Sequence, residues 1–411
     1  MKILYLTHRI PYPPDKGDKI RSYHVLSHLT RRGDVDLIAH VDDPMDLRHR
    51  QILADCCRRV ELFPIHRGYS KLCALTAFLR PSLPLSVAFM ARRQVAERVR
   101  SLIATENYDL VVAFSSQVAH YLPRDLDVPF IMDMVDVDSA KFDQYADQAG
   151  FLRSRVLRME ARRLRAFEKR IGERASRVLL TTEREVSLYE KIVGNGRVQA
   201  VVNGVVVPEV VAPQAERSGK LSVFLGQMDY PPNVEAVVFA AREVWPRVRA
   251  QIPDATFRIV GRNPVRAVQD LARLPGVEVT GAVPDLRSHL DAAALSLVPL
   301  RIARGIQNKV LESLAFGVPV VTTRAVLDTL HSDASCALRA VDGAEALACE
   351  VVRLLQDVTE RERLGVAGRA FVREHHDWTT FDQAWDRLLL EFGTKVSSAA
   401  KESMASLKSR G

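Results

Sequence analysis

Short runs of branched apolar residues alternate with helical stretches along both halves of the chain, and this alternation strongly constrains the fold. Near-continuous apolar strands separated by helices are typical of parallel sheets covered on both faces. The pattern predicts an α/β chain with two doubly wound, Rossmann-like domains. The predicted strands are Ile3–Thr7, Val35–His40, Val60–Phe63, Leu110–Phe114, Phe130–Asp133, Val178–Thr181, Val198–Val202, Leu221–Gly226, Thr256–Val260, Val277–Thr280, Leu295–Val298 and Val318–Thr322.

The domain boundary is predicted from composition. Residues 206–220 contain two prolines and end in polar residues, which is typical of a linker. We expect residues 1–205 to form the first domain and residues 221–377 the second, facing each other across a central cleft. In such sheets ligands bind at the carboxyl ends of the strands. Residues 393–411 are small and polar and are expected to form a poorly ordered tail.

Composition excludes several classes of protein. No stretch reaches the ~18 consecutive apolar residues of a membrane-spanning helix, and the first residues are typical of a β-strand rather than a signal peptide. The five cysteines contain no C-x-x-C pair and no matching histidine spacing, so neither a disulfide framework nor a zinc site is predicted. We therefore expect a protein of the reducing cytoplasm.

The net charge of +8 belongs to the first half of the chain. Residues 1–200 hold 33 Lys and Arg against 25 Asp and Glu, whereas residues 201–411 hold 25 of each. Residues 151–177 contain ten basic and three acidic residues with apolar residues at helical spacing, which predicts a basic amphipathic helix. It is either a solvated face or a surface attracted to an anionic membrane or a phosphate-bearing acceptor. Nucleic-acid binding is disfavoured, because no nucleic-acid motif accompanies the charge.

The most informative segment is residues 298–321. A strand is predicted to end at Pro299, and a helix is predicted to start near Gln307. Backbone N–H groups at a helix start form an anion site, to which Arg301, Arg304 and Lys309 add positive charge. Glu312, one turn after Lys309, is suited to accept hydrogen bonds from both ribose hydroxyls. The alternative is that Lys309 and Glu312 form a surface ion pair, worth about a few tenths of a kcal/mol.

This segment resembles the donor-binding motif of the family-four retaining glycosyltransferases, which have the GT-B fold. From Gly305 to Val321 it follows G-x-x-N-K-V-L-E-S-L-A-x-G-x-P-V-V. Three shorter segments resemble other family elements in the same order: the loop P-Y-P-P-D-K-G-D at residues 11–18, N-G-V at 203–205 and G-R-N-P at 261–264. The resemblance implies that residues 378–392 form a helix crossing back to the first domain. We interpret His375-His376, just before this helix, as structural.

More narrowly, the chain resembles the sugar transferases associated with exosortase and exopolysaccharide (PEP-CTERM) systems. The segments that carry this resemblance are H-R-I-P-Y-P-P at residues 8–14, M-D-M-V-D-V-D-S at 132–139 and G-Q-M-D-Y-P-P-N at 226–233. Two positions depart from the wider family. Arg304 stands where a glutamate often contacts the donor sugar, and Gln227 where a basic residue often holds the phosphates. These departures leave the donor sugar unassigned.

A retaining transfer must stabilise a departing diphosphate and an oxocarbenium-like sugar. Lys309, Arg301 and the N–H groups around residues 307–309 suit the first task. The resemblance implies no metal requirement and no cofactor, and Asp136-Val137-Asp138 is not interpreted as a metal site. The residues expected to bind the donor are Gly17, Arg262, Arg301, Arg304, Gly305, Gln307, Asn308, Lys309 and Glu312.

Candidate catalytic groups of the first domain follow two predicted strands. Asp136 or Asp138 is placed to orient or deprotonate an acceptor hydroxyl, or instead to cap a helix or form an ion pair. His120 is in a similar position, although a lone histidine is more often structural. Asp18 is predicted to cap the first helix, which would bring Lys19 or Arg21 near a phosphate.

These observations favour a cytoplasmic retaining glycosyltransferase that uses a nucleoside diphosphate sugar. Its acceptor is expected to be a glycan or a lipid-linked glycan in exopolysaccharide synthesis, with peripheral contact to the anionic inner membrane face. Two alternatives stay open: a sugar-nucleotide epimerase on the same fold, and a binding scaffold that lost activity when Arg304 replaced the glutamate. The three possibilities can be distinguished experimentally. A scaffold does not consume the donor, and an epimerase, unlike a transferase, needs no acceptor.

Overall fold

The structure is a computed structural model that describes residues 1–65, 83–147, 149–194, 197–303 and 305–392 of the 411-residue chain. It divides into two compact units. Unit 1 contains residues 1–201 and the chain from Asp382 onward, and unit 2 contains Val202–Phe381. Arg304 and the predicted tail 393–411 lie outside the described residues.

Unit 1 is built on a seven-stranded sheet in the order β3-β2-β1-β4-β5-β6-β7. All neighbouring strands are parallel. The central strands are buried along their length, as β4 illustrates with five fully buried residues, because helices cover both faces. The strands are β1 (Lys2–Thr7), β2 (Asp34–Val41), β3 (Arg59–Pro64), β4 (Leu110–Phe114), β5 (Phe130–Val135), β6 (Arg177–Leu180) and β7 (Val198–Ala200).

The helices of unit 1 include the predicted basic helix, which runs from Phe151 to Arg174. None of the helices in the described part of the chain is long and apolar enough to cross a membrane. The unit 1 helices are α1 (Gly17–Thr30), α2 (Arg50–Ala54), α3 (Leu85–Met90), α4 (Arg93–Thr105), α5 (Asp138–Asp147), α6 (Phe151–Arg174) and α7 (Glu183–Val193), with short 3-10 helices at Pro44–His49 and Ser116–Tyr121.

Unit 2 is built on a parallel six-stranded sheet in the order β10-β9-β8-β11-β12-β13. Its hydrophobic core includes the buried rings of Trp245 and Phe257, which contact each other. The strands are β8 (Ser218–Leu225), β9 (Thr256–Val260), β10 (Val277–Gly281), β11 (Ala293–Val298), β12 (Val320–Thr322) and β13 (Arg339–Ala340). The helices are α8 (Pro231–Phe239), α9 (Trp245–Gln251), α10 (Arg266–Gln269), α11 (Arg287–Ala292), α12 (Asn308–Ala315), α13 (Arg324–Leu327), α14 (Ala344–Gln356), α15 (Val358–His375) and α16 (Trp378–Glu391). A π-helix joins α8 to α9 at Ala240–Val244, and 3-10 helices lie at Gln214–Glu216, Asp270–Arg273 and Ser332–Cys336.

The predicted class, two open parallel sheets of a Rossmann-like α/β protein, is confirmed. Each predicted strand is present, two of them with the predicted ends and the others with ends shifted by up to three residues, and β13 is an additional edge strand. The chain passes between the units at Val201, earlier than the predicted boundary at residue 205. Helix α16 contributes its residues up to Phe381 to unit 2 and those from Asp382 to unit 1.

The stretch predicted as a linker differs most from expectation, because residues 206–217 belong to unit 2. Arg217 is buried and donates hydrogen bonds to the carbonyl oxygens of Leu290 (2.6 Å) and Phe316 (2.7 Å). Buried Gln214 donates to the Gly317 carbonyl at 2.7 Å. These contacts tie the stretch to carbonyl groups at the end of α11 and just past the end of α12.

Gly204, in the N-G-V segment, packs directly against Trp378. A Cβ atom there would lie 2.4 Å from the indole ring. We expect Gly204→Ala to destabilise the protein by about 1–3 kcal/mol, as overpacking does. The measurement is the thermal melting temperature. Gly150→Ala is the matched control, because no atom lies within 4 Å of the added methyl group, and equal melting temperatures would contradict the packing argument.

Candidate functional site

The predicted donor loop lies at the carboxyl edge of the unit 2 sheet. Strand β11 ends at Val298, residues 299–303 and 305–307 have no helix or strand, and α12 begins at Asn308. Gly305 has φ of +57°, a conformation that glycine adopts at little cost. Because β11 pairs with β8, and β9 lies on the other side of β8, this loop emerges where the strand order reverses. Such a point is the usual ligand position in an open parallel sheet.

Lys309 and Glu312 are partly buried in the first turns of α12. The Lys309 Nζ donates to Gln307 Oε1 at 3.2 Å and lies 5.5 Å from the centre of the Phe224 ring. Burial lowers the pKa of Lys309 to about 8, opposed by the charge of Glu312, and burial raises the pKa of Glu312 to about 7, opposed by Lys309. Both side chains are partly buried rather than fully solvated, and this burial favours a binding site over the surface ion pair.

The start of α12 is held by the N-G-V segment. The Asn203 Nδ2 donates to Asn308 Oδ1 at 3.3 Å, and the Asn203 carbonyl accepts from the His376 Nδ1 at 3.1 Å. Ser313 donates its hydroxyl to the Lys309 carbonyl at 2.8 Å. The positive end of the helix is thereby fixed beside the Lys309 ammonium group, and both favour an anion.

The two arginines of the described donor set lie on different elements. Arg301 is exposed, its guanidinium lies 4.4 Å from the centre of the Phe239 ring, and Glu235 is 3.7 Å away. Arg262 follows β9, where its carbonyl accepts from Met228 N at 2.9 Å. That contact joins the loops after β8 and β9. They approach so closely that a Cβ atom on Gly261 would lie 1.6 Å from the Gly226 carbonyl oxygen.

In unit 1, the loop after β1 carries a polar network. Asp18 accepts from Arg9 at 2.6 Å and pairs with the His8 Nε2 at 3.1 Å, and Arg9 also contacts Asp42 at 2.9 Å. Burial alone would raise the pKa of Asp18, but the hydrogen bonds and charges of His8 and Arg9 hold it well below its usual range. Asp18 is therefore a fixed carboxylate.

The expectations for the start of α1 need correction. The N-cap is Lys16 rather than Asp18, and Gly17 is the exposed first residue of the helix. Lys19 and Arg21 are almost fully buried in ion pairs, with Asp46 at 2.6 Å and with Asp133 at 2.9 Å. Neither side chain is presented to a phosphate, because each neutralises a buried carboxylate of its own unit.

His120 lies in the 3-10 helix after β4. Its Nδ1 donates to the Gln117 carbonyl at 2.6 Å, and its Nε2 has no hydrogen-bond partner among the described residues. Burial lowers the pKa of His120 to about 4. The ring is therefore neutral near pH 7, with an unprotonated Nε2 that is able to accept a proton or a hydrogen bond.

Asp136 and Asp138 lie between β5 and the first turn of α5. Asp136 accepts from the Thr181 hydroxyl at 3.1 Å, and Asp138 accepts from the Ser116 hydroxyl at 3.1 Å. Burial raises the pKa of Asp136 to about 6, with Glu185 and Asp138 adding to it. A raised pKa suits a general base. Asp133, three residues before Asp136, is instead fully buried against Arg21 and is structural.

Sequence reasoning missed several contacts of the site. His8 and Arg9 were quoted only for the resemblance, yet they fix Asp18. Phe224 lies under Lys309, and Asn203 holds Asn308. Two sequence features could have indicated these residues. His8 and Arg9 directly follow a predicted strand, and Asn203 belongs to the N-G-V segment. Each unit thus contains part of the predicted set, with the donor loop in unit 2 and Gly17, His120, Asp136 and Asp138 in unit 1.

One protein-family model matches most of the second unit. Residues 219–357 match the family model described as glycosyl transferases group 1. Among curated protein sequences, none matches the chain. The resemblance seen in the sequence is thus confirmed at the level of group 1 glycosyl transferases over this domain, whereas the association with exosortase systems stays a prediction.

Solved structures share the fold over 93–95% of the chain. Sucrose-phosphate synthase (tll1590) from Thermosynechococcus elongatus is similar with a TM-score of 0.71 at 19% identity, covering 95% of this chain and 99% of that chain. HepE (Alr3699) of Anabaena in complex with UDP has a TM-score of 0.66 at 16% identity, covering 95% and 100%. WaaG, a glycosyltransferase involved in lipopolysaccharide biosynthesis, has a TM-score of 0.65 at 17% identity, covering 93% and 98%. The fold is GT-B.

Proposed function

We propose that this GT-B chain, whose residues 219–357 match group 1 glycosyl transferases, is a retaining glycosyltransferase that uses a nucleoside diphosphate sugar. The observation that carries the proposal is the partly buried pair of Lys309 and Glu312 at the start of α12. A cation at a positive helix end binds a diphosphate, and a carboxylate one turn later accepts hydrogen bonds from ribose hydroxyls. The Anabaena protein HepE was also solved with UDP-glucose, so we propose UDP as the first nucleotide to test.

The proposed transfer depends on charge stabilisation. As the bond between the sugar and the diphosphate breaks, Lys309 and the N–H groups at the start of α12 stabilise the departing diphosphate. Arg301 supplies a further cation, and Arg262, Gly305 and Gln307 border the nucleotide. We propose that these side chains replace a metal ion in this step. Gly17 in unit 1 is proposed to approach the donor.

The acceptor is proposed to be a glycan or lipid-linked glycan that binds to unit 1. A cavity of about 560 Å³ there is lined by polar groups of His8, Arg9 and Asp42 together with apolar side chains that include Phe89 and Leu157. Such a mixed lining suits an acceptor with both a sugar and an apolar portion. His120, Asp136 or Asp138 is proposed to orient the acceptor hydroxyl and take its proton, and exopolysaccharide synthesis is the proposed setting.

Helix α6 supports a peripheral position on an anionic membrane. Phe151 and Leu152 at its start are 72% and 78% exposed. Four cations on α6 and α7 line a second hollow of unit 1: Arg162, Arg165, Lys169 and Lys191. Exposed apolar residues followed by a row of cations are typical of a helix that lies on an anionic bilayer. We propose that this face contacts the inner membrane surface, where a lipid-linked acceptor would be found.

The proposed donor site is tested by thermal melting with UDP, GDP, ADP, TDP and CMP. A nucleotide at 100 times its dissociation constant stabilises the folded protein by about 2.7 kcal/mol. We expect UDP to raise the melting temperature of the parent and not that of Lys309→Ala/Glu312→Ala. Thr323→Ser, after β12, is a control outside the donor residues.

Two results would contradict the proposal. Equal shifts in the parent and the double variant would place the nucleotide elsewhere, and no shift with any nucleotide would favour a scaffold without activity. Where a nucleotide binds, incubation with its sugar donor separates the remaining alternatives. A transferase consumes the donor when it transfers the sugar to an acceptor or to water. An epimerase alters the configuration of the sugar and needs no acceptor.

A further inference from the structure

Three side chains on unit 2 form a cluster that the proposed transfer does not use. His331 precedes the 3-10 helix Ser332–Cys336, Asp333 lies within it, and His375 ends α15. The two ring nitrogens and the carboxylate oxygen of this cluster all lie within 4.8 Å of one another. None of the three belongs to the donor residues. Imidazole and carboxylate groups together are the donor set of many zinc sites.

Two distances within this cluster match those between ligands of a tetrahedral ion. Asp333 Oδ2 lies 3.3 Å from the His331 Nδ1 and 3.4 Å from the His375 Nε2. Ligand atoms that are each ~2.0–2.1 Å from a tetrahedral zinc ion stand about 3.3–3.4 Å from one another. The two imidazole rings are stacked, with centroids 4.3 Å apart. Two edges of a coordination tetrahedron are therefore already present.

The two ring nitrogens make few hydrogen bonds within the cluster. The His331 Nδ1 accepts only a long hydrogen bond, 3.4 Å, from Asp333 N. The His375 Nε2 is buried and makes no hydrogen bond to the described residues, although the Asp333 carboxylate lies near it. A buried ring nitrogen without a partner costs free energy. An ion between His375 and Asp333 would remove that cost.

We propose that His331, Asp333 and His375 bind one divalent transition-metal ion of the zinc class. The fourth position would be taken by water or by Glu374, whose Oε2 lies 4.0 Å from the His375 Nε2. Two imidazoles and one carboxylate favour Zn²⁺, Co²⁺ or Ni²⁺ over Mg²⁺ and Ca²⁺, which prefer shells of oxygen ligands.

The ion would have a structural role next to the donor helix. It joins the end of α15 to the 3-10 helix, and the next residue, His376, accepts from Val205 N at 2.8 Å. The His376 Nδ1 donates to the Asn203 carbonyl, and Asn203 in turn holds Asn308 at the start of α12. Metal binding would therefore stiffen the segment that positions this helix. The site itself does not depend on the proposed transferase activity.

The test uses the full chain after removal of metals with a chelator. We expect one equivalent of Co²⁺ to give the intense visible absorption of a tetrahedral site, and Zn²⁺ to displace it and raise the melting temperature. Hydrogen exchange at the Val205 amide should slow when Zn²⁺ is bound. Asp333→Asn and His331→Gln should each weaken Zn²⁺ binding by at least about tenfold. Asp328→Asn is the matched control, because it removes an exposed carboxylate of the preceding loop.

Three results would overturn the proposal. The first is a parent protein that binds neither Co²⁺ nor Zn²⁺. The second is binding that persists in Asp333→Asn and His331→Gln but is lost in Cys336→Ser, which would assign the ion to the exposed thiol. The third is an equal response to Mg²⁺, which would indicate nonspecific binding to surface carboxylates.

Discussion

Lys309→Met is expected to lower kcat/KM for the nucleotide sugar by about 10²–10³, the usual cost of removing one group that stabilises transition-state charge. The methionine has a similar length and removes the ammonium group that we propose to face the departing diphosphate. Steady-state kinetics with the nucleotide sugar identified by thermal melting measure the effect. A variant as active as the parent at every donor concentration would exclude a role for this charge.

The pH profile provides a control for the same residue. Because burial lowers the pKa of Lys309 to about 8, its positive charge is lost as the pH rises through that value, and kcat/KM should fall on the alkaline side. Arginine stays charged throughout this range. We therefore expect Lys309→Arg to be less active than the parent at pH 7 but to show no decline near pH 8. An alkaline limb that is the same in both proteins would assign the titration to another group.

Neutralising four cations of unit 1 is expected to weaken binding to anionic vesicles by about 10³-fold. The variant is Arg162→Gln/Arg165→Gln/Lys169→Gln/Lys191→Gln, the four cations of the second hollow. Each basic residue near an anionic surface contributes about 1 kcal/mol, and four contribute about 4 kcal/mol. Sedimentation with vesicles of phosphatidylglycerol and phosphatidylcholine measures the partition coefficient. Binding should also weaken as the salt concentration rises, since exposed charges are screened.

The matched control removes the same charge from exposed arginines of unit 2: Arg242→Gln/Arg247→Gln/Arg266→Gln/Arg273→Gln. It should bind vesicles almost as well as the parent, because the proposed contact depends on where the charge lies. Equal losses in the two variants would show that only the net charge matters. Unchanged binding in the unit 1 variant would remove the membrane face from the proposal.

Local sequence patterns predicted the framework well because the central strands, such as Leu110–Phe114 and Ala293–Val298, are almost continuous apolar runs. The edge strand Arg339–Ala340 was missed, since two residues give no periodicity. The donor helix could be placed because strand, glycine loop and helix follow one another directly between Val298 and Asn308. Local patterns carry the information for such contiguous elements.

Partners distant in the chain explain what local patterns could not predict. Lys19 and Arg21 look like exposed cations of a helix start, yet their partners Asp46 and Asp133 are 27 and 112 residues away. The cluster of His331, Asp333 and His375 was not predicted for the same reason. Its members lie on separate elements, and a search of cysteine and histidine spacing does not detect such ligands. The stretch at 206–217 resembled a linker because its prolines and polar residues are visible locally, whereas the carbonyls that bind Arg217 are not.

That stretch has a consequence for the construction of chimeric enzymes. Residues 202–217 hold the donor helix at both ends, through Asn203 at its start and through Gln214 and Arg217 just past its end. Arg369 ties the Pro208 carbonyl to that of Ala315 in the last turn. A recombination point placed in the proline-containing stretch would separate unit 2 from some of the residues that hold its donor helix. A chimera joined after Val201 would keep these residues and the donor helix from the same parent protein.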